Sequence, residues 1–426
     1  MEWALASIAV ALLCYAAFAG RLEGTPLTAA MVFTGVGLLL GSEALAFVDL
    51  APLGDIVQTL AEATLAVVLF ADASRIDLRL LRGEAAIPAR LLGIGLPLTI
   101  VAGLVAALPL LGALGWSEAL LLAVILAPTD AALGQAVVTL RAVPLRVRQS
   151  LNVESGLNDG ICVPLFLVVL AVAGVESDRL GGRAAVRLVV EQIGYGAVAG
   201  VAAGAAGAGA ILLAARTGRT DRGWLEIVPF AAAGLAWGIA HPLGGSGFIA
   251  AFVGGAAFQA LRRDPEGELG HVIEEAGDVL GAVTFVVFGA VLLGPALADA
   301  SWAVLAYAGL SLTAVRMVPV AISLVGTGMR RETVGFLGWF GPRGLASIVF
   351  ALMLAEDGGV THADTIMTAA FVTVGLSVLL HGVSAAPLAA RYAGWFAAHP
   401  PGREPDVESR PAPEIRWRHA LGARRG

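Results

Sequence analysis

Lysine is missing altogether from this sequence of 426 residues, so all 27 basic residues are arginine. Charged residues make up only 14% of the chain, against roughly a quarter in soluble proteins. Cysteine is also scarce: Cys14 and Cys162 both lie in apolar segments, so neither a disulfide framework nor a cysteine metal site is expected. No stretch alternates polar and apolar residues with a period of two, as a membrane β-barrel requires. A soluble protein and a barrel are therefore both excluded.

Long apolar runs fill the chain instead, with 58% hydrophobic residues and a mean hydropathy of +0.83. A transmembrane helix needs about 20 apolar residues. We therefore predict an all-α membrane protein with about 13 transmembrane helices. The predicted spans are residues 3–20, 26–42, 54–73, 85–112, 117–140, 147–175, 185–215, 222–240, 245–261, 272–294, 301–327, 333–355 and 363–391. The first run follows Glu2 rather than a basic segment, so it is predicted to be retained and not cleaved as a signal peptide.

The arginines outside the predicted spans are distributed unevenly. They concentrate in the loops that follow odd-numbered spans and in the tail, whereas the opposite loops carry Arg179, Arg183 and Arg187. Because cytoplasmic loops are enriched in basic residues, the N-terminus is predicted to lie outside and the C-terminus in the cytoplasm. We expect a transmembrane domain over residues 1–395, in the plasma membrane or the cell inner membrane. A short cytoplasmic tail, residues 396–426, is predicted to be disordered or to lie on the membrane surface.

Six ionisable side chains of the predicted spans stand out as intramembrane charges, and a charge at membrane depth is costly and usually marks a function. They are Asp72, Asp130, Glu154, Asp159, Arg316 and Arg343. Asn158 and Asp159 follow Ser155 by three and four residues, so each shares a helix face with Ser155. The carboxylate, amide and hydroxyl oxygens on this face suit a hard cation such as Na⁺. The set favours a transport pathway over a purely structural polar network.

Two of the predicted spans are interrupted near their middle. Pro128 precedes Thr129 and Asp130, and a proline frees a carbonyl one turn earlier in a helix. A later run, FLGWFGPRGLASIVFALML, carries Pro342 and Arg343 between two glycines. Freed carbonyls can bind a cation, and matching breaks in the two halves of a chain indicate an inverted-repeat transporter. The positive charge of Arg343 could compensate helix C-terminal dipoles at such a crossing. The alternative interpretation of Pro128 is a simple kink in a continuous helix.

At these residues the sequence resembles the monovalent cation:proton antiporters, specifically the NhaP-like branch of the CPA1 family, which is related to the animal sodium/proton exchangers. The resemblance covers nearly the whole membrane part. Its paired Thr-Asp and Asn-Asp motifs, followed later by Gly-Pro-Arg-Gly, are highly specific. The matching segments are LFADASRIDLRLLR (69–82), APTDAALG (127–134), NVESGLNDG (152–160), SGFIAAFVGG (246–255), FVVFGAVL (285–292), WFGPRGLAS (339–347) and SVLLHGVSAAPLA (377–389).

The resemblance implies an inverted-repeat antiporter fold with two crossing unwound helices, assembled as a homodimer in which each protomer has its own pathway. It implies that Asp159 is the carrier carboxylate, and that Asp130 contacts the ion directly or through water. Around the carrier, the resemblance implies a Na⁺ site with oxygen ligands or supporting groups from Thr129, Ser155 and Asn158.

The resemblance also implies a structural ion pair between Glu154 and Arg316. Asp72 falls near an acidic position that some relatives use at the site. Electrogenic relatives have two adjacent aspartates and a membrane lysine, whereas here position 158 is Asn and the chain has no lysine. One titrating carboxylate, Asp159, that alternately binds a proton or one monovalent cation moves no net charge. We therefore predict electroneutral 1:1 exchange.

The predicted function is secondary antiport of Na⁺ or Li⁺ against H⁺ across a lipid bilayer, with no cofactor, no enzymatic activity and no nucleic-acid partner. One alternative is a K⁺/H⁺ antiporter, because the same oxygens accept K⁺. Another is a cation channel or regulator on the same fold, although no filter-like carbonyl repeat is visible. An intramembrane hydrolase would need Ser155 or Ser347 as nucleophile, and neither has a histidine nearby in a motif.

Two further features favour structural interpretations. Gly196, Gly200 and Gly204 recur at a spacing of four, which predicts close helix packing inside the protomer, with a dimer contact as the alternative. His381, in the last predicted span, is interpreted as a packed and hydrogen-bonded residue rather than a pH sensor.

Overall fold

The structure is a computed structural model that describes residues 2–22, 25–41, 54–75, 86–134, 137, 140–176, 181–217, 221–262, 269–357, 359–400 and 405–410. Every regular element in these ranges is helical, which confirms the all-α prediction. Among the described helices, 8 are long and apolar enough to cross a membrane by length and composition. The remaining apolar helices are shorter, so the predicted number of about 13 spans stays a prediction.

The helices follow the order of the predicted spans along the chain. We number them α1 Glu2–Leu22, α2 Ala29–Leu40, α3 Gly54–Arg75, α4 Ala86–Leu110, α5 Trp116–Ile125, α6 Leu145–Glu176, α7 Gly182–Thr217, α8 Arg222–Ala240, α9 Gly247–Leu261, α10 His271–Ala298, α11 Trp302–Ser323, α12 Arg331–Trp339, α13 Leu345–Asp357, α14 Ala363–Ala397 and α15 Asp406–Ser409. Two predicted spans are helical only in part. Residues 126–130 follow α5 without helical structure, and residues 340–344 separate α12 from α13.

The glycine-rich face of α7 packs against α9 within the same chain. A Cβ atom added to Gly200 would lie 2.9 Å from the Gly254 nitrogen, and one added to Gly204 would lie 2.9 Å from the Phe258 nitrogen. Only residues without a side chain allow two helix backbones to approach so closely. The prediction of packing inside the protomer is therefore confirmed for these glycines.

Replacing Gly200 by Ala is expected to lower the unfolding temperature of the purified protein. The new methyl group would collide with the α9 backbone, which cannot rotate away as a side chain can, and overpacking of this kind costs about 1–3 kcal/mol. Gly209→Ala is the matched control, because no atom lies within 4 Å of its added Cβ. Thermal unfolding of both variants in detergent measures the difference. Equal unfolding temperatures for the two variants would contradict the packing.

Part of the predicted tail is docked on the helical bundle. Residues 405–410 include the short helix α15, and the side chain of Glu408 is only 1% exposed. One carboxylate oxygen of Glu408 accepts from the Arg330 amide over 2.9 Å and from the Thr333 hydroxyl over 2.7 Å. The carboxylate thus caps the N-terminus of α12, which holds these six residues in place despite the disorder predicted for the tail. Residues 401–404 and 411–426 lie outside the described residues.

Candidate functional site

The two non-helical segments contact each other through their backbones. We call residues 126–130 the first break and residues 340–344 the second break. The amide of Asp130 donates to the carbonyl of Pro342 over 2.8 Å. A carboxylate oxygen of Asp130 also accepts from the amide of Leu345, the first residue of α13, over 3.2 Å. The carboxylate therefore lies at the N-terminus of a helix, where the helix dipole favours a negative charge.

Side chains from other helices satisfy the backbone groups that the first break exposes. In a continuous helix the Thr129 amide would donate to the Ile125 carbonyl. Here the Ile125 carbonyl accepts from the Ser347 hydroxyl over 2.7 Å, and the Thr129 amide donates to the Asn158 side-chain oxygen over 3.3 Å. Polar backbone at membrane depth requires such partners. The sequence suggested Ser347 only as a hypothetical nucleophile, and the structure gives it this capping role instead.

A cluster of buried oxygens lies between the first break and α6. The hydroxyls of Thr129 and Ser155 are 3.0 Å apart, and the Asn158 amide donates to the Thr129 hydroxyl over 2.6 Å. All three residues are buried. The structure therefore brings together the three neutral groups that the sequence singled out. Asp159 follows Asn158 on α6, one helical turn after Ser155, and is partly buried, with one carboxylate oxygen fully enclosed.

Arg343 connects the second break to the first. Its side chain is fully buried, and one guanidinium nitrogen donates to the Ala127 carbonyl over 2.9 Å and to the Pro128 carbonyl over 3.2 Å. These carbonyls lie beyond the C-terminal end of α5, where the helix dipole is negative. A positive charge at this place matches the compensation of helix dipoles that the sequence suggested.

Glu154 and Arg316 form a buried pair, as the resemblance implied. Their nearest oxygen and nitrogen are 2.6 Å apart, and each side chain is 2% exposed. Glu154 projects from α6 and Arg316 from α11, so the pair joins the helix that carries Asp159 to a helix distant in sequence. The charge of this buried carboxylate is therefore balanced by an arginine.

Asp72 lies in a different set of contacts. Its carboxylate is 3.2 Å from a guanidinium nitrogen of Arg75, and another nitrogen of Arg75 is 2.8 Å from Glu274 on α10. None of the hydrogen bonds described for Asp72 reaches Thr129 or Ser155. The structure thus places Asp72 in an ion-pair network between α3 and α10. Its proposed part in the cation site stays a prediction.

Ser377 on α14 is a site residue that the sequence reasoning missed. Its hydroxyl accepts from the Arg343 amide over 2.7 Å and lies 3.1 Å from a ring nitrogen of His381. A single serine within an apolar helix has no distinctive spacing. The segment SVLLHGVSAAPLA, already noted for its resemblance, carried the only available signal.

Broken helices that meet through their backbones, next to buried oxygens and carboxylates in a multi-pass helical bundle, define a secondary transporter. The chain belongs to the transmembrane sodium/hydrogen exchanger family, whose sequence profile matches residues 8–391. That family consists of transporters and not enzymes, and the chain is a multi-pass membrane protein of the inner or plasma membrane.

Individual relatives agree with this family. The chain is 26% identical over 362 residues to the K⁺/H⁺ antiporter NhaP of Alkalimonas amylolytica, covering 84% of this chain and 61% of that protein. It is 26% identical over 275 residues to the K⁺/H⁺ antiporter NhaP2 of a Shewanella strain, MR-4, covering 64% of this chain and 46% of that protein. The chain thus spans about half the length of the curated relatives it matches.

A solved structure shares the fold. The sodium/proton antiporter MjNhaP1 of Methanocaldococcus jannaschii, determined at pH 8, superimposes with a TM-score of 0.71. The match covers 92% of this chain and 99% of that chain at 20% sequence identity.

Proposed function

We propose that this protein is a secondary antiporter that exchanges a monovalent cation for a proton, with Asp159 as the carrier carboxylate. The observation that carries the proposal is the cluster of Thr129, Ser155 and Asn158 oxygens at the joined helix breaks, on the helix turn that leads to Asp159. Family membership and the shared fold support the same reading. The two breaks are, in this proposal, the crossing unwound helices of an inverted-repeat fold.

The contacts of Glu154, Asp130 and Asp159 support a different role for each of these carboxylates. Glu154 is neutralised by Arg316, and Asp130 accepts from the Leu345 amide at a helix N-terminus. Asp159 follows Ser155 and Asn158 on α6 and is only partly buried, which suits a carboxylate that binds a proton and a cation in turn. Because one carboxylate cannot hold both at once, each displaces the other. Exchange with a ratio of 1:1 then moves no net charge, and the cycle uses no cofactor.

For the cation, we propose Na⁺ or Li⁺. Hydroxyl, amide and carboxylate oxygens form a hard ligand set, which suits small monovalent cations as it suits other hard ions. K⁺ is the alternative: the NhaP and NhaP2 relatives are K⁺/H⁺ antiporters, whereas the structural neighbour MjNhaP1 is a sodium/proton antiporter. We also propose that the protein functions as a homodimer, as the family resemblance implies.

Proton movement in proteoliposomes tests the proposal. We expect Na⁺ or Li⁺ added outside to drive protons out of the vesicles at the same rate whether the membrane potential is clamped or free. Raising the proton concentration should increase the cation concentration needed for half-maximal rate, because both ligands compete for Asp159. A rate that follows the membrane potential would contradict electroneutrality. Half-maximal concentrations that ignore pH would contradict the shared carboxylate.

The same vesicles distinguish the alternatives. K⁺-driven proton movement without a response to Na⁺ or Li⁺ would identify a K⁺/H⁺ antiporter. Cation flux that conducts current without proton movement would indicate a channel. If no cation drove transport, the remaining interpretation would be a regulatory protein with the antiporter fold.

A further inference from the structure

The second break exposes backbone groups that need partners from elsewhere. Because α12 ends at Trp339 and α13 begins at Leu345, the last carbonyls of α12 and the amides just before α13 have no partner within a helix. Leaving such groups unpaired within a membrane costs free energy. The partners therefore determine the conformation of the break.

One turn of α14 supplies two of these partners. The His381 Nε2 atom is 3.0 Å from the Trp339 carbonyl, which also accepts from the Gly341 amide over 2.9 Å. The Ser377 hydroxyl accepts from the Arg343 amide over 2.7 Å. Ser377 and His381 are four residues apart and contact each other, with 3.1 Å between the hydroxyl and the Nδ1 atom. Both side chains are buried, at 0% and 1% exposure. They hold the backbone on both sides of Gly341 and Pro342.

The direction of the hydrogen bond between His381 and Trp339 follows from what the partners can do. A carbonyl only accepts, so His381 Nε2 carries the hydrogen that it donates to Trp339. The Nδ1 atom lies 3.1 Å from both the hydroxyl and the backbone carbonyl of Ser377, so either the hydroxyl donates to Nδ1 or Nδ1 donates to the carbonyl. In both cases the contacts form a chain that runs from Arg343 through Ser377 and His381 to Trp339. The geometry matches the packed histidine that the sequence predicted.

The second break, which Ser377 and His381 contact, also contacts the residues of the cation site. Arg343 donates to the Ala127 and Pro128 carbonyls of the first break, and Pro342 accepts from the Asp130 amide. A shift of the second break would therefore move the carbonyls of the first break and, through Thr129, the oxygens next to Asp159.

We infer that Ser377 and His381 are positioning residues for the cation site: together they fix the second break and, through Arg343, the ligand oxygens of the first. The inference deepens the proposed function and rests on it. Neither side chain touches the transported ion, and His381 does not carry the exchanged proton.

The test compares four variants in proteoliposomes. Ser377→Ala leaves the Arg343 amide without its acceptor, and His381→Leu removes the ring's polar contacts with Ser377 and with the Trp339 carbonyl. His381→Gln keeps an amide donor that can reach the Trp339 carbonyl. Ser384→Ala is the matched control, because Ser384 lies on the same helix and accepts from the Trp339 indole over 2.9 Å without touching the backbone of the break. For each variant we measure the half-saturating cation concentration, the maximal rate, the unfolding temperature and the pH dependence at saturating cation.

We expect Ser377→Ala to raise the half-saturating cation concentration about tenfold, the effect of one unpaired buried amide on a site it shapes. His381→Leu should raise it in the same direction but less, because the Trp339 carbonyl keeps the Gly341 amide as a donor. His381→Gln should have a half-saturating cation concentration close to that of the wild type, and Ser384→Ala should match the wild type. The pH midpoint of transport at saturating cation should be the same in all variants. Unchanged half-saturation in Ser377→Ala and His381→Leu, with only a lower unfolding temperature, would overturn the inference. A displaced pH midpoint in His381→Gln would overturn it too, because His381 would then titrate during transport.

A further measurement separates this inference from the proposed function. If the wild type exchanges no cation, the proposed function fails. Cation binding can then be measured as the rise in unfolding temperature when NaCl or KCl is added instead of choline chloride. Loss of that rise in Ser377→Ala, with retention in Ser384→Ala, would support the positioning role. Retention in both variants would overturn it.

Discussion

Asp159→Asn is expected to reduce cation-driven proton movement by a factor of about 100 or more, because an amide neither releases a proton nor supplies a negative charge to a cation. The substitution preserves the size of the side chain, so the bundle should fold normally and keep its unfolding temperature. Proton movement in proteoliposomes with Na⁺, Li⁺ and K⁺ measures the loss. The oxygens of Thr129 and Ser155 would still be present in the variant, but without a carboxylate beside them.

The control for this prediction is Asp364→Asn, which makes the same chemical change at an exposed position in the first turn of α14. It should transport at the wild-type rate. Exchange that survives in Asp159→Asn would transfer the carrier role to Asp130 or Asp72. Equal losses in Asp159→Asn and Asp364→Asn would point to damage unrelated to the site.

Glu154→Gln is expected to destabilise the protein by about 3–5 kcal/mol, because it leaves the charge of Arg316 buried without its carboxylate. Arg316 is 2% exposed and lies 2.6 Å from Glu154, so water cannot replace the lost partner. Thermal or denaturant unfolding in detergent measures the change. The double variant Glu154→Gln with Arg316→Met removes both charges and should regain part of the stability that the single change loses.

An exposed ion pair provides the comparison. Arg187 and Glu191 on α7 lie 2.7 Å apart with 79% and 35% of their side chains exposed, so Glu191→Gln should leave the unfolding temperature unchanged. Transport adds a second criterion. If Glu154→Gln unfolds at the wild-type temperature but loses cation affinity, Glu154 is a ligand and not the structural partner of Arg316.

The sequence was informative where rare residues stood out against an apolar background. Six ionisable side chains in the membrane part drew attention to the site, and Pro128 and Pro342 marked both breaks. The interval from Ser155 to Asn158 indicated a shared helix face, and the structure shows both side chains bonded to Thr129. Charge and proline are conspicuous because each is costly inside a membrane, so a single occurrence carries information.

The contacts that hold the breaks together could not be predicted in the same way. Ser347 bonds to a carbonyl 222 residues away in the chain, and Ser377 bonds to an amide 34 residues away. Serine is tolerated in apolar helices for many reasons, so neither residue forms a pattern. The docking of Glu408 was missed for the opposite reason, because a proline-rich charged segment is usually solvated and its burial depends on a helix end that only the folded protein presents.

The bond between the Asp130 amide and the Pro342 carbonyl has a consequence for how such proteins diversify. Since it joins peptide groups, which every residue except proline supplies in full, its acceptor and donor survive most substitutions at either position. The geometry of the crossing therefore does not depend on which side chains surround it. Mutations can replace hydroxyls, amides and carboxylates on the neighbouring helix and change the ion preference, while the backbone contact between the two breaks stays the same.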